Sequence, residues 1–302
     1  MNNYQGWLNV YKPLGISSFL VVKKIRKYFE LDKIGHGGTL DPLAEGILPI
    51  AIGKATKLIP FINSNLKEYE FKIRWGEQTS TDDSEGEIIS TSDYIPSIQE
   101  INKKLIFFKG EHFQIPPKAS AVKINGERAY KLLRQNKDFE IKAKKVFLHS
   151  SKIIDSSTSN LTTMRIECGK GFYIRSFARD LAEILNTKAH IKTLKRTKVG
   201  KFTIKNANLL DDLLKIGQRL TEFKGFHSSV SMLDDILAYE INDEKDMLCI
   251  SQGKSININV NRITKTLLDS ADRKIVFLTD KGKVISFGKL NGDLFQPEKV
   301  LI

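Results

Sequence analysis

Gly35-His36-Gly37-Gly38-Thr39-Leu40-Asp41-Pro42-Leu43-Ala44-Glu45-Gly46-Ile47-Leu48-Pro49 carries four glycines and two prolines within fifteen residues. That density of turn formers predicts an irregular loop in which other backbone segments approach closely. Asp41 sits at its centre, before a proline that disfavours helical geometry for it. An acid held in this way can face a substrate, although a lone Asp in a turn is far more often tied to its own backbone. The stretch is not a phosphate loop. It lacks both Gly-x-Gly-x-x-Gly and the Walker pattern, and Gly53-Lys54 is followed by Ala55 where a magnesium-binding hydroxyl would be needed.

On the N-terminal side, residues 7–12 read as a strand turning at Pro13 and Gly15. Ser17 or Ser18 then caps a helix with Val21, Val22, Ile25 and Phe29 at helical spacing. On the C-terminal side, Lys54 to Ile62 reads as helical, and Tyr69, Phe71, Ile73 and Trp75 alternate as on a half-buried strand. Ser97-Ile98-Gln99-Glu100 is a capping box opening a helix that Gly110 stops. Lys144–Ile154 and Leu161–Cys168 read as a hairpin across the polar turn 155–160. Arg175–Leu185 reads as a helix with Phe177, Leu181, Ile184 and Leu185 on one face, followed by a basic stretch through Lys201. After about residue 226 short strands alternate with tight turns, including Asp280-Lys281-Gly282 and Asn291-Gly292. The pattern is that of an α+β protein with a small β-rich C-terminal domain.

The composition narrows the classes. With 48 Lys and Arg against 35 Asp and Glu, the net charge of +13 favours a polyanionic partner over an ordinary solvated basic surface. No apolar run is long enough to span a bilayer, and the polar opening is not a secretion signal, so a cytoplasmic location is expected. Cys168 and Cys249 stand far apart without ligand-spaced neighbours, which argues against a zinc site or a disulfide framework.

Gly35 to Pro49 resembles the signature loop of the TruB family of pseudouridine synthases, in which the Asp of a Gly-Thr-Leu-Asp-Pro run is catalytic. Further motifs follow in the family's order. Lys12-Pro13-Leu14-Gly15 resembles the first. Lys67-Glu68-Tyr69 with Gly76, Thr79, Asp82 and Gly86 resembles the second. Pro116-Pro117, Ser120-Ala121-Val122-Lys123, Gly126, Arg128, Ala129 and Tyr130 resemble the third. Gly171-Phe172-Tyr173-Ile174-Arg175-Ser176 with Leu194-Lys195-Arg196 resembles the fourth. The likeness is close over roughly residues 7–202, and the region near 230–302 is more loosely similar to a PUA domain.

The resemblance implies a synthase core with a central mixed or antiparallel sheet flanked by helices over 1–226, including an RNA-clasping loop about 112–145. A PUA-like RNA-binding domain would occupy 230–302. The implied reaction is isomerisation of a T-loop uridine of tRNA, conventionally position 55, to pseudouridine on a flipped-out base, with no cofactor and no metal. Asp41 would be the catalytic carboxylate. Arg175 would pair with it, fix its rotamer and favour its ionised form. Tyr69 would stack on the uracil and help remove a proton, with Tyr173 and Leu194 lining the pocket and His36 holding the base out. Lys12, Lys67, Lys123 and Arg128 would bind substrate, and Lys118, Lys131 and Arg134 would add phosphate contacts in the clasping loop. The expected partner is the T arm of tRNA, met by a monomer without membrane or obligatory protein partner.

Three rival readings remain at this stage. A non-catalytic tRNA-binding or folding protein would share the basic surface without needing Asp41 and Arg175. A guide-dependent pseudouridine synthase resembles the family, but its usual basic extensions are not evident. A magnesium nuclease would need clustered carboxylates, and a glycosylase would release free base.

Overall fold

The computed structural model describes residues 4–62, 66–156, 160–215, 219–229, 237–265, 275–281 and 283–302. Its main feature is an eleven-stranded mixed sheet. Eight strands matter for the site: β1 (Gly6–Lys12), β2 (Ile34–His36), β3 (Ala44–Ile52), β4 (Lys67–Trp75), β5 (Gly110–Gln114), β6 (Lys144–Asp155), β7 (Leu161–Cys168) and β8 (Ala189–Val199). Along the sheet they run β1, β3, β8, β4, β7, β6, β5, with β2 pairing β3. Most neighbours are antiparallel, but β3 and β8 are parallel, pairing Leu194 with Ala44, Lys195 with Glu45 and Arg196 with Gly46. This parallel seam lies at the heart of the molecule.

Helices α1 (Ser18–Tyr28), α2 (Ile98–Leu105) and α4 (Ile174–Ile184) brace the sheet, and the short α3 (Ala129–Arg134) follows a hairpin of the clasping segment. Ser17 caps α1, and Val21 and Ile25 pack on Leu8, Val10, Leu48 and Ile50 of β1 and β3. The capping box at Ser97 and Glu100 opens α2. Phe71 and Phe177 meet edge to face at 6.0 Å, and Phe108 joins Phe177 at 5.0 Å, so α4 seals one face of β4. The alternation read in β4 is real: residues 67, 69, 71, 73 and 75 are all buried.

Three sequence readings need correction. Gly35–Pro49 is not irregular throughout, since only residues 37–43 lie outside strands. Ile47, Leu48 and Ile50 are fully buried in a central strand, and Gly46 is in that strand because a Cβ there would meet the Arg196 carbonyl oxygen at 2.2 Å. Ile184 is 38% exposed at the end of α4 rather than on its buried face. The clasping loop about 112–145 is not loop throughout: its ends lie in β5 and β6, a hairpin pairs Lys123–Ile124 with Glu127–Arg128 across left-handed Asn125 and Gly126, and Ala129 and Leu132 are buried. The tip 157–159 of the β6–β7 hairpin and Gly282 lie outside the described residues.

The C-terminal part forms a second, six-stranded sheet, and its main strands are β9 (Leu237–Glu240), β10 (Ile275–Asp280), β11 (Lys283–Asn291) and β12 (Leu294–Val300). Phe277, Val284 and Leu301 share an apolar cluster with Trp7, Ala51, Leu58 and Val199. Phe61 stacks edge to face on Phe277 and Phe287, 4.8 and 5.1 Å away.

Candidate active site

Asp41 occupies the loop between β2 and β3, and that loop is held from outside by buried side chains. Ser18 Oγ accepts from the Leu40 amide at 2.8 Å and donates to the Leu40 carbonyl at 2.9 Å. On the other side of Asp41, the Pro42 carbonyl accepts from Gly15 N at 2.8 Å and Lys12 Nζ at 3.3 Å. Arg196 Nη2 donates to the Gly38 carbonyl at 3.0 Å, and its Nε donates to the Ile47 carbonyl at 2.8 Å. Backbone groups on both flanks of Asp41 are thereby fixed by partners remote in sequence. Positioning of this kind keeps a reacting group in one geometry.

The side chain of Asp41 is 37% exposed, while that of Arg175, whose Nη2 lies 2.9 Å from its Oδ2, is 5% exposed. Arg175 stands in the first turn of α4. Its Nη1 is 3.1 Å from Oδ2 of Asp83, a carboxylate 2% exposed. The same guanidinium donates to the carbonyls of Thr81 and Ala119 at 3.0 Å each. Asp83 is itself fully engaged, its Oδ1 accepting from Thr81 Oγ1 and Glu85 N. Arg175 thus has a resident partner in Asp83 and a solvent-facing one in Asp41. One turn along α4, Arg179 pairs with Asp82 at 2.9 Å.

A cleft of about 740 Å³ opens over Asp41, lined by Phe19, His36, Thr81, Glu85, Ser120, Arg128, Arg134 and Arg175 among others. Its size is that of a small-ligand site. The Nδ1 of His36 is buried without a hydrogen-bond partner, and burial together with the Arg196 charge lowers its pKa, leaving a neutral ring on the cleft wall. The Tyr69 phenol is buried on β4, and burial raises its pKa while Arg196 pulls it down. Burial and the Asp41 charge raise the Tyr173 phenol, with Arg175 opposing. The Tyr173 backbone is clasped by Gln114, which donates to its carbonyl at 3.1 Å and accepts from its amide at 2.8 Å. Leu194 borders an adjoining cleft of about 570 Å³ with Leu43 and Glu85, rather than the Asp41 cleft.

Two of the lysines assigned to substrate do not face it. Lys12 is fully buried, with Nζ donating to the carbonyls of Pro13, Ile16 and Pro42, and burial lowers its pKa to about 8. Lys67 is also buried, at 7% exposure, and burial with the nearby Arg196 charge lowers it to about 8. Neither presents an ammonium to a phosphate. Lys118, Lys123, Arg128, Lys131 and Arg134 are exposed on the clasping segment.

Sequence reasoning assigns no site role to Asp83 or Gln114, and reads Ser18 only as a candidate helix cap and Arg196 only as part of the fourth motif. A signal for Asp83 existed: Arg175 and Arg179 stand one helical turn apart, and adjacent Asp82 and Asp83 supply one carboxylate to each. Asp82 takes a left-handed φ of 59°, which sends the two side chains different ways.

Solved structures similar in fold include two complexes. A Cbf5-Nop10-Gar1 complex contains a chain 24% identical with a TM-score of 0.73, the match covering 98% of this chain and 85% of that one. An archaeal box H/ACA sRNP Nop10-Cbf5 complex gives 22% identity, a TM-score of 0.73, and coverage of 99% and 87%. The TruB family pseudouridylate synthase (N terminal domain) matches residues 26–174, and the tRNA pseudouridylate synthase B C-terminal domain matches 175–238. Relatives named tRNA pseudouridine synthase B include one from Caulobacter vibrioides, 39% identical over 95% of this chain and 94% of its own. Another, from Rickettsia bellii, is 40% identical over 99% and 98%. By class the protein is an isomerase of the pseudouridine synthase type. It belongs to the TruB family.

Proposed function

We propose that this protein converts the T-loop uridine of tRNA, at conventional position 55, into pseudouridine, with Asp41 as its catalytic carboxylate. The observation that carries this reading is the half-open Asp41 carboxylate, paired with a buried arginine that already has a second counter-ion. The reaction breaks the bond between uracil N1 and ribose C1′, turns the base and rejoins it through C5. Whether Asp41 attacks carbon or takes a ribose proton, it loses its charge at that point. Asp83 then leaves Arg175 neutralised, so no unpaired cation is stranded in the site.

The target base must leave the RNA stack to reach Asp41, and the neutral His36 ring on the cleft wall suits it to hold the base out by stacking. Tyr69 and Tyr173 bound the base, with Tyr69 taking part in the final proton transfer. The clasping segment 112–145 closes over the T arm through Lys118, Lys123, Arg128, Lys131 and Arg134, giving phosphate contacts with little base readout. In this reading residues 1–226 are the catalytic unit and 230–302 a PUA-like RNA-binding unit. The protein works as a cytoplasmic monomer without cofactor or obligatory partner. Among the described residues no helix is long and apolar enough to cross a membrane.

The test is pseudouridine formation on an unmodified tRNA transcript, comparing the intact protein with Asp41→Asn in the absence of nucleotide and metal. Activity abolished only in the variant, with tRNA binding retained, is the expected result. An intact protein that binds tRNA but makes no pseudouridine overturns it in favour of an RNA-folding role.

A further inference from the structure

Among the described residues Arg196 is, after Trp7 and Trp75, the bulkiest of the fully buried side chains, at 1% exposure. Unlike Arg175 and Arg179, it has no carboxylate in salt-bridge contact among the described residues. A buried guanidinium without a counter-ion is costly, and a long apolar side chain would fill the same space. Its donors go instead to the backbone on both sides of Asp41: Nη2 to Gly38, Nη1 to Thr39 at 3.4 Å and Nε to Ile47. Across the antiparallel ladder between β8 and β4, Arg196 stands directly opposite Tyr69. Directly opposed side chains on one face have Cβ atoms only about 4.5–5.5 Å apart. The same residue therefore touches the loop that carries Asp41 and faces the phenol on the neighbouring strand.

We propose that Arg196 is a positioning residue for the isomerisation, fixing the Asp41 loop through its planar fork and supplying the cation that makes the buried Tyr69 usable as a base. This rests on the pseudouridine synthase reading above. In the last step the C5–H bond of the re-attached uracil breaks and its proton passes to the Tyr69 phenolate. The freed pair forms the C5–C6 double bond, and the C6–N1 pair moves onto N1. N1 then takes the proton back from the phenol, so the proton moves from C5 to N1 and Tyr69 is regenerated. A phenol buried on β4 holds its proton too tightly for this unless a cation lies beside it. On balance burial raises the Tyr69 phenol, and the Arg196 charge is the largest influence opposing that rise.

Two substitutions separate the fork from the charge. Arg196→Lys keeps a cation but loses the planar fork, and Arg196→Gln keeps carbonyl donors but loses the charge. Single-turnover rates and tRNA affinity are measured across the neutral to alkaline range, on a transcript that the intact protein modifies and Asp41→Asn does not. Failure of the functional reading shows in those two controls, and failure of the Arg196 assignment shows in the variants. Ultraviolet titration of Tyr69, with Tyr69→Phe as blank, gives a readout independent of turnover.

The expected result for Arg196→Gln is a rate about 100-fold lower, tRNA affinity within about threefold, and both the alkaline rise in rate and the Tyr69 titration moved to higher pH. Arg196→Lys is slow but keeps the pH dependence and titration of the intact protein. The assignment is overturned if folded Arg196→Gln matches the intact protein in rate, or if the two variants share one pH profile and one Tyr69 titration. Should Arg196→Gln fail to fold, Arg196→Lys decides alone: an unchanged rate overturns the proposal, and a slow enzyme with unshifted titration supports it.

Discussion

The loop around Asp41 and the clasping segment at 112–145 are both rich in turn formers and both border one cleft, yet they are built in opposite ways. Around Asp41, Lys12, Gly15 and Ser18 from one remote stretch and Arg196 from another fix the backbone. The clasping segment is tied to α4 at its start, where Ser176 donates to the Ile115 carbonyl and Arg175 to that of Ala119; beyond that it relies on its own short hairpin and a few buried apolar residues, and it points its cations outward. Chemistry needs a group held in place, whereas phosphate contact tolerates side chains that move. Damage to the first region should therefore appear in the rate, and damage to the second in affinity.

The sharpest way to break that contrast is Asp41→Asn, which should abolish product while changing the tRNA dissociation constant by less than about threefold. Next is Asp83→Asn, which leaves Arg175 with Asp41 as its only carboxylate partner. Losing that charged contact while Asp41 still neutralises Arg175 should cost about 1.5–3 kcal/mol in a denaturant titration, and turnover of the folded fraction should fall as Asp41 becomes more tightly bound to Arg175. For the clasping segment, changing Lys123, Arg128 and Arg134 together to Ala should leave the rate at saturating tRNA intact. Affinity should weaken, and the slope of log affinity against log salt should shrink by about 0.7–0.9 per lost phosphate contact. A lowered rate with unchanged affinity would erase the distinction between the two regions.

Smaller effects sharpen it. Ser18→Ala leaves the Leu40 amide and carbonyl without their partner and should cost about 1–3 kcal/mol of stability, with a reduced rate and unaltered affinity. The smallest concerns Lys67, whose pKa falls from the ordinary 10.5 to about 8 on folding. Between those values the unfolded chain binds more protons than the folded one, so stability rises with pH there and the penalty of charging Lys67 is fully present below about 8. Melting curves at rising pH should show the intact protein gaining on Lys67→Met. A parallel pair of curves would remove the buried lysine from this account.

Periodicity and caps made much of the fold legible. The alternation through Tyr69, Phe71, Ile73 and Trp75, the capping box at Ser97 and the Asn291-Gly292 hairpin are local signals, and each appears where it was read. The glycines misled, because a glycine needed for close approach inside a strand looks the same in sequence as one needed for a turn. Gly46 is of the first kind. Within the site, Asp41 and Arg175 stood out only through a joint resemblance of motifs. Lys12 and Lys67 were misread because a lysine looks solvent-facing until tertiary structure buries it. Asp83 escaped, and Arg196 was read as part of a motif without a role, because what they do arises from contacts far along the chain, Asp83 with Arg175 and Arg196 with Ile47.

The parallel seam between β3 and β8 also has a consequence in time. Its two strands are separated by nearly half of the chain, and the Arg196 bond to Ile47 closes a loop of 149 residues. Pairings of such long range form late, because a large loop must be closed before any contact rewards it. During synthesis the Asp41 loop leaves the ribosome long before the strand that fixes it. A nascent chain carries its reactive carboxylate for some time with the contacts from residues 12–18 but without those of Arg196, whose strand β8 must still pair between β3 and β4.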